Sequence, residues 1–111
     1  MNIPEFPSIK SVSEKVLANI WVTISDKPLP ETQAFTLDDK DFAYLLNLVQ
    51  KNPGVVDTRI REYGVDFDNS FIEAFSFKVE DCFVVFVKQS APLRSCLVHE
   101  LKHILNDDYS T

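Results

Sequence analysis

The stretch Phe83-Val84-Val85-Phe86-Val87 is apolar at every position, and after a short polar link the chain continues Leu93-Arg94-Ser95-Cys96-Leu97-Val98-His99-Glu100-Leu101-Lys102-His103-Ile104-Leu105. A short apolar run bounded by polar residues reads as a strand buried on both faces. The second segment has a helical period instead: at about 100° per residue, Leu93, Leu97, Leu101, Ile104 and Leu105 share one face and His99 and His103 lie together beside it. Pro92 suits the first helical position, preceded by Ser90 or Ala91, and no Gly or Pro interrupts the residues that follow. A buried strand running into an amphipathic helix therefore anchors the fold.

Upstream of that strand, Phe71, Phe75, Phe77 and Val79 are apolar, whereas Glu73, Ser76, Lys78 and Glu80 occupy intervening polar positions. This is a second strand, joined to the first through a turn at Glu80-Asp81, and its aromatic residues read as core. Farther back, a helix starting at Thr36 or Asp38 carries Leu37, Phe42, Leu45, Leu46 and Val49 at helical spacing and stops at Asn52-Pro53-Gly54. A shorter helix is expected from Val56 to Tyr63, before Gly64. Ser11-Val12-Ser13-Glu14 matches a capping box, and Val12, Val16, Leu17 and Ile20 fit one helical face, while Ile20-Trp21-Val22-Thr23-Ile24 reads equally as strand. Asp26-Lys27-Pro28-Leu29-Pro30 breaks the chain, and residues 1–10, with two prolines, read as an irregular arm. The expected fold is α+β: one small domain over residues 1–111, with a short antiparallel sheet or hairpin packed on helices.

At 111 residues, with 45% hydrophobic and 25% charged residues, the chain suffices for one modest core. A net charge of −6, without clustered Lys or Arg, argues against a nucleic-acid partner. No apolar run reaches the roughly 18 to 20 residues that span a bilayer, and the amino terminus lacks a basic start followed by an apolar stretch. The expectation is a cytoplasmic protein without a membrane partner. Cys82 and Cys96 form no C-x-x-C pair and read as reduced, half-buried thiols. Cys96 projects one turn before His99, close to the histidine face.

His99-Glu100-Leu101-Lys102-His103 is an H-E-x-x-H motif, and its two histidines are the only ones in the chain. Random placement of two histidines and seven glutamates yields this arrangement at a rate on the order of 0.1%. Residues four apart share a helix face, so both imidazoles can reach one cation while Glu100 stands beside them as a proton acceptor. This is the one pattern in the chain that names a chemistry.

Taken with the apolar strand and with Arg94 a few positions ahead, the segment from Phe83 to Leu105 resembles the zincin metallopeptidases, in particular the ImmA/IrrE-type peptidases and the small single-domain minigluzincins. The resemblance implies an α+β domain, zinc bound by His99 and His103, and Glu100 as general acid/base in the hydrolysis of a peptide or protein substrate by activated water. Lys102 departs from it, standing where many such proteins have a small residue.

Catalytic zinc commonly has three protein ligands and one open position. Asp107 lies about 12 Å beyond His99 along a straight helix, out of reach of a metal held between the histidines. If the helix ends near Asn106, a reversal of the chain brings Asp107 or Asp108 into range, and these two are the third-ligand candidates. Glu73, Asp66 or Asp68, a neighbouring molecule, or a segment beyond Thr111 are the other sources. Tyr109 is a candidate oxyanion partner. Two alternatives to a peptidase stay open: a catalytically inactive zincin-like interaction module without a complete metal site, and histidines with a purely structural role, one donating to a carbonyl and the other paired with an acid.

Overall fold

A computed structural model describes residues 6–51, 72–79 and 81–106. In chain order these form β1 (Lys10–Val12), α1 (Glu14–Trp21), β2 (Thr32–Leu37), α2 (Asp39–Lys51), β3 (Ala74–Val79), β4 (Cys82–Lys88) and α3 (Leu93–Leu105). The α+β class is as expected, but the sheet is larger than a hairpin: four strands in the order β1-β2-β4-β3. β3 and β4 form the expected antiparallel hairpin, with Val79 opposite Cys82. β2 runs parallel to β4, placing Ala34 opposite Val85, and β1 closes the far edge antiparallel to β2.

The central position of β4 explains why its sequence does not alternate. Phe83, Val85 and Val87 join Leu17, Ile20 and Trp21 of α1 and Leu97, Leu101 and Ile104 of α3 on one face of the sheet. Val84 and Phe86 join Leu37, Phe42, Leu45, Leu46, Val49, Phe75 and Phe77 on the other, beneath α2. A strand covered on both faces needs apolar residues at every position. Phe86 is fully buried and packs within 5.4 to 5.9 Å, ring centre to ring centre, of Phe35, Phe75 and Phe77. Burying each such side chain stabilises the fold by roughly 1.5 to 3 kcal/mol. The aromatic residues of β3 are thus core, as their strand pattern indicates.

Several local expectations shift. Thr36 and Leu37 belong to β2 rather than to α2, which begins at Asp39 after Asp38 Oδ1 accepts the Asp41 backbone N–H at 2.8 Å. The cap of α1 is Ser13, whose hydroxyl accepts from Val16 N at 3.2 Å, and Ser11 lies in β1 opposite Phe35. Helix wins over strand as far as Trp21 because Leu17, Ile20 and Trp21 seal one face of the sheet, whereas Val16 faces outward at 40% exposure. Leu93 also leaves the apolar face of its helix, because it lies in the first turn, beyond the edge of the core. Pro92 occupies the cap position of α3 rather than the first helical one, and the Ser90 hydroxyl is committed to Asp39 Oδ1 at 2.6 Å.

The amino-terminal arm is docked from Phe6 onward. Phe6 is buried beside Tyr44, Gln89 Nε2 donates to Ser8 O, the Ser8 hydroxyl bonds Asp41, and Lys10 already begins β1. The expected helix from Val56 to Tyr63, and Phe71, lie outside the described residues.

Candidate metal centre

α3 packs across β4 and β3 and against α1. With Leu97, Leu101 and Ile104 turned fully inward, the 100° rotation per residue places Glu100 at the border of the buried face and the two histidines just past it. Burial follows that order: Glu100 is buried at 3% exposure, His103 is half-buried and His99 is exposed. One helix thus supplies core contacts, a buried carboxyl and two accessible imidazoles within three turns.

The rings of His99 and His103 meet nearly edge to face, their centres 4.4 Å apart, and their Nε2 atoms lie 2.8 Å from each other. One ring nitrogen from each histidine and a Glu100 carboxylate oxygen all lie within 4.8 Å of one another. Two nitrogens bound tetrahedrally to zinc at about 2.0 to 2.1 Å stand about 3.3 to 3.4 Å apart. Opening the pair by about half an ångström therefore brings the nitrogens to that spacing. The pair is joined by a hydrogen bond in which one ring N–H donates and the other ring nitrogen accepts. The Nε2 atoms of the two histidines therefore face each other, with the Glu100 carboxyl close by.

Electrostatics favour the cation-binding form of His99. Burial, then the neighbouring His103, then Lys102 hold His99 below its ordinary pKa, favouring the neutral ring. Burial pushes the Glu100 carboxyl upward, opposed by a hydrogen bond from Ser76 and by the proximity of His103. A bound cation acts in the opposite sense to burial and favours the carboxylate.

Among the other candidates, Glu73 is exposed just before β3 and lies near enough to Cys96 to raise its thiol pKa, after burial and ahead of Glu100. It is not among the converging ligand atoms. Both cysteines are free and half-buried, as expected, with Cys82 raised by burial and then by Glu31. Asp107, Asp108, Asp66, Asp68 and Tyr109 lie outside the described residues. α3 ends at Leu105, and Asn106 caps it with φ −90° and ψ 0°, so the helical path stops before Asp107.

Ser76 was not among the expected site residues. Its place among alternating phenylalanines reads as a solvent-facing polar position, and only the register of β3 on β4, with Ser76 opposite Val85, turns it beneath α3. No protein family matches this chain, and neither a curated protein nor a solved structure matches it. An H-E-x-x-H triad, His99, Glu100 and His103, stands on the C-terminal helix and could hold a metal ion. No helix among the described residues is long and apolar enough to cross a membrane.

Proposed function

We propose that this chain is a zinc-dependent metallopeptidase in which His99 and His103 hold the ion and Glu100 is the general acid/base. The observation that carries this reading is the convergence of one ring nitrogen from each histidine and a Glu100 carboxylate oxygen within 4.8 Å on an H-E-x-x-H helix. The donor set suits zinc, which takes imidazole nitrogen and carboxylate oxygen readily. The third ligand is assigned to Asp107 or Asp108, a reading supported by the end of α3 at Leu105.

Zinc, when bound, supplies positive charge that makes water acidic near neutral pH and polarises a carbonyl group. Glu100 takes the proton of the attacking water on a carboxylate oxygen and delivers it to the departing amine. Its burial beside apolar residues excludes competing solvent and strengthens each electrostatic contact. His99, held below its ordinary pKa chiefly by burial, offers the ion a ring nitrogen in its neutral form. The peptide lies extended beside β3, the end strand of the sheet next to α3, where main-chain pairing gives affinity.

Glu100→Gln tests this reading. The variant retains zinc, and cleavage of a fluorogenic peptide library falls at least about 100-fold. Undiminished cleavage by the variant contradicts the assigned role of Glu100. A zinc-loaded parent protein that cleaves nothing points instead to the inactive interaction module.

A further inference from the structure

Ser76 and Glu100 are the two buried polar side chains among the described residues, at 5% and 3% exposure. They lie on different elements, β3 and α3, that pack against each other, and the Ser76 hydroxyl is among the groups that act on the Glu100 carboxyl. Strand parity explains the meeting. Phe75 and Phe77 point toward α2, so Ala74 and Ser76 point to the opposite face, where Val85, Val87, Leu97 and Leu101 are all fully buried.

An apolar side chain would suit that surface better than serine, because a hydroxyl loses its hydration there and needs a partner. Glu100 is the other buried polar side chain among the described residues, on the helix packed against β3. The Ser76 hydroxyl donates one hydrogen bond, whereas a carboxylate accepts about four, so most of its accepting capacity stays available on the histidine side. A glutamate side chain has three rotatable bonds and would otherwise sample several orientations. β3 is clamped to β4 by a six-residue register, so a donor mounted on it is a fixed point.

We propose that Ser76 is a positioning residue, its hydroxyl holding the Glu100 carboxyl at the inner end of the His99–His103 pair. The role rests on the metallopeptidase reading. The contact itself does not.

The test uses two measurements on the full chain. In metal-free protein at one fixed pH, the Glu100 carboxyl 13C resonance, identified by its loss in Glu100→Gln, moves in Ser76→Ala and in Ser76→Cys, and Ser76→Thr returns it toward the parent position. In cobalt(II)-loaded protein, Ser76→Ala changes metal affinity less than about tenfold, because both histidines remain, yet shifts the visible absorption bands. A Glu100 resonance unmoved in both Ser76→Ala and Ser76→Cys overturns the contact. A resonance that moves without any change in the cobalt bands shows an anchor for packing alone and overturns the positioning role. A parent protein that binds no cobalt overturns the metal reading and with it the role, and the metal-free resonance still reports on the contact.

Discussion

The Nε2 atoms of His99 and His103 point at each other across 2.8 Å, one helical turn apart, with His99 exposed and His103 half-buried. Among the described residues, Leu97, Leu101 and Ile104 fill the core face of α3 without either imidazole. On the proposed reading the imidazoles add little to folding and serve to hold a cation. His99→Ala should therefore leave the metal-free denaturation midpoint within the small range typical of surface substitutions, about 0.5 kcal/mol, while lowering zinc affinity at least about 100-fold. Urea titration and competition with a chromophoric chelator read the two effects separately.

Zinc that binds only the folded chain stabilises it by mass action. At a free concentration 100 times the dissociation constant the gain is about 2.7 kcal/mol, enough to raise the melting temperature by roughly 10 °C in a domain of this size. The shift disappears on addition of chelator and is absent in the double variant His99→Ala/His103→Ala. A thermal scan with and without zinc checks it.

Glu100 gives metal-free stability a pH dependence of defined sign. Its carboxyl is raised in the folded state, chiefly by burial, so folding binds the proton more tightly than the unfolded chain does. The associated stability is present below the ordinary carboxylate pKa and is lost as pH rises through the elevated folded value. Glu100→Gln removes this loss. The stability difference between variant and parent should grow in favour of the variant from acid toward neutral pH, measured by urea unfolding in chelator. A difference that stays constant across that range, or moves the other way, contradicts the burial argument.

β4 is covered on both faces, so a cavity there is costly. Phe86→Ala should destabilise by about 3 to 5 kcal/mol, a large share of the roughly 5 to 15 kcal/mol available to a small domain. The outward-facing Val16→Ala, by contrast, should change stability by less than about 0.5 kcal/mol. Chemical denaturation of the two variants provides the comparison.

The sequence made legible what local periodicity encodes. The apolar run of β4, the β3–β4 hairpin, the buried face of α2 and the H-E-x-x-H helix each carry a pattern long enough to read. β2 escaped because Thr32–Leu37 has an isolated Ala34 and Leu37 as its buried residues and follows two prolines; its strand character comes from parallel pairing with β4, a contact distant in sequence. β1 escaped because three residues carry no period, and Ser11 within it imitates a helix cap. At the site, spacing along one helix brought the histidines and Glu100 into view. Ser76 stayed hidden because its orientation depends on strand register, which side-chain pattern alone does not fix when a polar residue is turned inward.

The central claim is that His99 and His103 together hold one zinc ion, and elemental analysis of protein purified without chelator tests it most directly. The account predicts about one zinc per chain in the parent and loss of that zinc in His103→Ala, with the variant still folded. No zinc in the parent after reconstitution, or an equal content in parent and variant, contradicts it.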